Sequence, residues 1–103
     1  MVPLSRKTLE LIKKFYPSEL QETVIQLLEN ECADNLPFLE KASSAGLERF
    51  RFAVLKIGKS NFEKLRQAIE LAKQDWRDLL VAAKFANSIK AHLEWAKKKY
   101  GIG

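Results

Sequence analysis

From Leu4 to Tyr100 apolar residues return every three or four positions, and the runs are punctuated by prolines, glycines or side chains suited to capping a helix. That spacing is the period of an α-helix. Each run is too short to stand alone in water and must bury its stripe against another. The expected fold is all-α: a compact bundle of five or six short helices in antiparallel or orthogonal packing, forming one domain over residues 1–103. With 103 residues, such a chain buries about 65% of its unfolded surface, enough for a core without metal or disulfide staples.

The boundaries are written in local chemistry. Ser5 is placed to cap a first helix, with Leu4 stapling to Leu9, and Leu11, Ile12 and Phe15 continue the stripe until Pro17. Ser18 and Gln21 form a capping-box pattern for a second helix with Leu20, Val24, Leu27, Leu28 and Glu31 on its inner face, widened by Ile25 and Cys32. Asn35-Leu36-Pro37 breaks it, a short helical piece is expected over 37–42, and Ser43-Ser44-Ala45-Gly46 reads as a loop. Leu47, Phe50, Val54 and Ile57 predict a third helix stopped by Gly58. Arg49-Phe50-Arg51-Phe52 also alternates as a strand would, but a lone strand has no partner. Ser60 and Glu63 suggest a second capping box before Phe62, Leu65, Ile69 and Ala72, with Glu63–Arg66 and Glu70–Lys73 as surface pairs. Asp75 can cap a helix carrying Trp76, Leu79, Leu80 and Ala83; Ala86-Asn87-Ser88 is a soft break; Ile89, Leu93, Ala96 and Tyr100 mark the last face.

Charge is unevenly placed. The formal net charge is +5, yet residues 17–40 contain six acidic side chains and no Lys or Arg, whereas residues 47–103 carry thirteen basic against six acidic ones. An acidic end and a basic end point to an oriented partner surface or to head-to-tail self-association; solvated helix faces explain the same pattern more plainly. The first residues lack the continuous apolar stretch of a signal peptide, and no run approaches membrane-spanning length. Cys32 is the single cysteine, so no intrachain disulfide can form, and among Ile25, Leu28 and Glu31 it reads as a small buried apolar group. A cytoplasmic setting follows as the expectation.

Catalytic patterns are missing. The glycines at 46, 58, 101 and 103 form no phosphate-cradling loop. One His and one Cys sixty positions apart do not build a metal site, and position 89 is Ile, so His92 is not in a Glu-x-x-His pair. No acid, base and pocket assemble, so no enzyme, cofactor or metal is expected. His92, near Phe85, Ile89 and Ala96, reads as a buried structural histidine rather than a ligand or pH switch. Trp95 falls off the Ile89–Leu93–Ala96 line and is a candidate protein contact, as is Phe52, the phenylalanine of the Arg-Phe-Arg-Phe run that lies outside the Leu47–Phe50–Val54 stripe. Phe52, Val81 and Trp95 together offer apolar surface beyond one stripe, which a protein partner or a homodimer would bury.

A second reading concerns residues 78–99. Ala82-Ala83-Lys84-Phe85-Ala86-Asn87-Ser88-Ile89-Lys90-Ala91 resembles a helix-turn-helix core, with small alanines for close packing and Ser88 as cap. Lys84, Lys90, Lys97, Lys98 and Lys99 would supply phosphate contacts. The motif is degenerate: Ala86 stands for the turn glycine, Asn87 for the apolar residue after it, and His92 for a core position of the second helix. The lysine run 97–99 equally suits a helix C-terminus.

The stretch RFRFAVLKIGKSNFEKLRQAIELAK, together with DWRDLLVAAKFA and AHLEW, resembles small uncharacterised bacterial all-helical proteins of unknown function. What the resemblance implies is a free-standing bacterial helical domain, and it brings no functional residues with it. The expected function is a non-catalytic protein–protein interaction module, with nucleic-acid binding through residues 78–99 as the alternative, and no membrane partner.

Overall fold

A computed structural model describes residues 4–31, 44–88 and 90–102, with side chains at all of these except 44–46 and 76. The described residues form six helices and no strand: α1 (Arg6–Phe15), α2 (Ser18–Glu31), α3 (Ser44–Gly58), α4 (Phe62–Gln74), α5 (Trp76–Ala83) and α6 (Ala91–Tyr100). The Cα radius of gyration is 12.2 Å, near the ~13 Å of a compact domain of this length. The expected break at 35–37, the helical piece over 37–42, Cys32, Ile89 and the Trp76 side chain lie outside the described residues.

Capping follows the sequence at α1 and α5 and departs from it at α2 and α4. Ser5 caps α1, its hydroxyl accepting from the Thr8 amide at 3.2 Å. Asp75 serves two helices at once: its amide donates to the Leu71 carbonyl at the end of α4, while its carboxylate accepts from the Arg77 and Asp78 amides of α5. Ser18 is not a cap, because α2 already includes it; the Pro17 carbonyl accepts from Leu20 and Gln21, and the Gln21 side chain donates back to the Tyr16 carbonyl. Asn61, not Ser60, caps α4 by accepting from the Lys64 amide at 2.9 Å. Helix α3 also begins earlier than expected, at Ser44, so 44–46 belong to its first turn rather than to a loop. Small residues are tolerated there because first-turn amides have no intrahelical partner to lose.

The largest departure is the position of α3. Phe50, Arg51, Phe52, Ala53, Val54 and Leu55 are six consecutive buried residues. A helix buried all round has neighbours on every side, and α3 packs against α1, α4, α5 and α6. Phe52, expected to be available to a partner, is fully buried. The Leu47–Phe50–Val54 stripe is correct but describes only one of the covered faces.

The ends of α3, α5 and α6 are each turned by a left-handed residue, and two of these are lysines. Gly58 reads as the stop of α3, but the residue with positive φ is Lys59 (49°), whose amide donates to the Leu55 carbonyl. Gly58 is spent on proximity instead: a Cβ there would lie 2.8 Å from the Leu65 Cα. Helix α5 ends in a Schellman motif, with the Phe85 amide on the Leu80 carbonyl, the Lys84 amide on the Val81 carbonyl, and Lys84 at φ 65°. Gly101 (φ 68°) turns α6 and sends Ile102 into the core.

Candidate binding face

The turn after α5 is held from below by two cations of α3. Positions 49 and 56 are two turns apart and share a face of that helix. Arg49 donates through Nε and Nη2 to the Phe85 carbonyl, at 3.2 and 2.5 Å, and the Lys56 Nζ donates to the Ala83 carbonyl at 2.7 Å. The Lys56 ammonium also lies 4.8 Å from the centroid of the Phe85 ring and 5.6 Å from that of Trp95, within cation–π range.

Lysines gather around this point. Burial and the positive charges of Lys84, Lys99 and Lys59 hold the Lys56 pKa below the ordinary lysine value. These four residues are contributed by the C-terminal ends of α3, α5 and α6. Each helix C-terminus carries about −0.5 of an elementary charge, so the three together offset roughly −1.5 against four ammonium groups. A positive surplus remains, exposed at Lys59, Lys84 and Lys99.

Of the lysines singled out in the sequence, Lys84 and Lys99 therefore belong to one cluster. Lys90, at the N-cap of α6, and Lys97 and Lys98, in its last turns, are exposed. Lys56 and Lys59 were missed; the signal available was the Lys-x-x-Lys spacing at the end of α3, which has no meaning until the α5 turn is set beside it. The spacing departs from a helix-turn-helix: seven residues separate α5 from α6, against the three or four of that motif, and α6 packs on α3. Ser88 does not cap α6; it makes a turn in which its hydroxyl accepts from the Lys90 amide and its carbonyl from Ala91, and Lys90 caps the helix without a side-chain bond.

Trp95 is half-buried rather than displayed. Its ring centroid lies 5.4 Å from Tyr100, 5.6 Å from Phe85 and 6.4 Å from both Phe15 and Phe52, so the indole closes an aromatic cluster. Val81, the third of the surplus apolar residues, is 64% exposed.

His92 is 2% exposed, with its Nε2 3.3 Å from the Glu48 carboxylate and its ring edge-on to Phe52 at 5.0 Å. Its Nδ1 is buried without a hydrogen-bond partner. A carboxylate can only accept, so the Nε2 hydrogen donates to Glu48 whether the ring is neutral or charged. That bond is the largest cause holding the Glu48 carboxyl below the ordinary glutamate value; burial opposes it, and Ser5, the His92 charge and Lys7 add to it. A carboxyl with a depressed folded pKa contributes stability above its unfolded pKa, and the contribution is lost as pH falls through the folded value. Urea midpoints measured from about pH 6 to pH 3 should therefore drop more steeply for the parent than for Glu48→Gln, which keeps the acceptor but cannot titrate. Parallel acid limbs would remove this role for the pair.

Among the described residues no group of three or more His, Cys, Asp and Glu side chains is placed to hold a metal ion, and no helix is long and apolar enough to cross a membrane. No protein-family model matches the chain, and no curated protein or solved structure does so either.

Proposed function

We propose that this protein is a non-catalytic protein-interaction module that docks an acidic surface of its partner on the lysine cluster of α3, α5 and α6. The observation that carries this reading is the Lys56 Nζ bond to the Ala83 carbonyl at 2.7 Å, which sets Lys56 beside Lys84 where α3 and α5 end, with Lys59 closing α3 and the charges of Lys84, Lys99 and Lys59 all acting on it. The aromatic side chains beside the cluster are engaged within the fold, Phe85 buried and Trp95 half-buried beside the Lys56 ammonium, which disfavours a single strand that binds by base stacking. A bacterial cytoplasmic setting goes with it.

The test is fluorescence anisotropy with labelled poly-glutamate, duplex DNA and single-stranded DNA at about 50 and 200 mM salt. Poly-glutamate should bind and weaken with salt, and the triple variant Lys59→Glu, Lys84→Glu, Lys99→Glu should lose at least tenfold in affinity with its helical circular dichroism unchanged. Equal binding by the triple variant counts against the cluster, and tighter binding of DNA than of poly-glutamate makes the partner a nucleic acid. Lys84→Gly separates stability from binding. Glycine relieves the left-handed strain at φ 65° and should raise stability by about 0.5–1 kcal/mol while lowering poly-glutamate affinity.

A further inference from the structure

Lys56 is half-buried near the end of α3, with its Nζ 2.7 Å from the Ala83 carbonyl and 4.8 and 5.6 Å from the ring centroids of Phe85 and Trp95. Three exposed lysines act on it: Lys84, which follows Ala83 directly, Lys59, one turn on from Lys56, and Lys99, in the last turn of α6. A lysine is a nucleophile only once its ammonium has lost a proton, and two surroundings favour that loss: removal from water and neighbouring cations. Lys56 has both, and burial is the larger cause of its lowered pKa. The neutral amine can keep one hydrogen on the Ala83 carbonyl, which holds the nitrogen in place and leaves its lone pair uncommitted.

We propose that Lys56 is an acylation site that reacts with acyl phosphates, whose phosphate is gathered by Lys59, Lys84 and Lys99. The Nζ lone pair attacks the carbonyl carbon of the donor. A C–N bond forms, the bond from that carbon to the phosphate oxygen breaks, and phosphate leaves with the electron pair and takes up the proton that the nitrogen sheds. Charge selects this class of donor: the leaving group is itself the anion, so the cations that gather the donor also stabilise the charge that grows on it. The product is an uncharged amide, so the basic face loses one cation, and the Phe85 and Trp95 rings lose the ammonium beside them. The site stands whether or not this face docks a protein; only the consequence, a weaker hold on an acidic surface, rests on the docking reading.

The test treats the folded protein with acetyl phosphate near neutral pH and follows acetylation at each lysine by peptide mass mapping. Lys56 should react at least about fivefold faster than Lys13 and Lys64, exposed lysines of α1 and α4. With N-acetylimidazole, a neutral donor, the lead of Lys56 should shrink, because only the phosphate donor is gathered by charge. The triple variant Lys59→Gln, Lys84→Gln, Lys99→Gln should lose most of the lead toward acetyl phosphate with its helical circular dichroism unchanged, since all three side chains are exposed. In guanidinium chloride the lead should vanish, because the surroundings of Lys56 come from α5 and α6 and not from its neighbours in the chain. Lys56 reacting no faster than Lys13 and Lys64, a first acetyl group on Lys59, Lys84 or Lys99, or a lead that survives unfolding overturns the site. A lead equal toward both donors, or undiminished in the triple variant, overturns the assignment of acyl phosphates as the donor class.

Discussion

Replacing Phe52 by alanine is expected to cost about 3–5 kcal/mol of folding stability, a large share of the roughly 5–15 kcal/mol typical of a domain this size. The side chain is fully buried on a helix with neighbours on all sides, so little can collapse into the space it leaves. Its ring supports His92 at 5.0 Å and Trp95 at 6.4 Å, and both would lose a packed neighbour. Urea unfolding should show a lower midpoint at unchanged slope. If Phe52 were instead a surface contact, the same substitution would leave the midpoint within about 0.5 kcal/mol and act on binding alone.

Gly58→Ala should be destabilising by about 1–3 kcal/mol, against the usual rule that alanine improves a helix by about 1 kcal/mol over glycine. The added Cβ would meet the Leu65 Cα at 2.8 Å and the Leu65 backbone nitrogen at 3.0 Å. Those are atoms of the α4 backbone, which cannot turn aside as a side chain can. The double variant Gly58→Ala, Leu65→Ala separates the two cases. Rescue of the Gly58→Ala loss would mean that the clash lies with the leucine side chain; additive losses are expected, because shortening Leu65 leaves its Cα in place. A thermal midpoint for Gly58→Ala above that of the parent would dispose of the close approach altogether.

The two substitutions bear on the two places where local reasoning and the fold part company. Gly58 reads in the sequence as a helix stop because glycine accepts positive φ without strain, and the pattern of a stop is the same whether the glycine itself or the next residue makes the turn. Only the closeness of α4 explains why position 58 has no room for a Cβ although the turn itself is made by Lys59. Phe52 reads as surplus because it lies off the Leu47–Phe50–Val54 line. That inference assumes a solvent side, and α3 has none over residues 50–55.

By itself the sequence determined the helices, the apolar periods that oblige them to pack together, and the caps at Ser5 and Asp75, because all of these act between residues within four positions of one another. The tertiary structure decided which helix is central and which charged groups meet. Lys56 and Ala83 are 27 positions apart, Arg49 and Phe85 are 36, and Glu48 and His92 are 44. Contacts at such separations leave no periodic trace in a chain, and they exist only once the packing of α3 against its neighbours has brought their helices together.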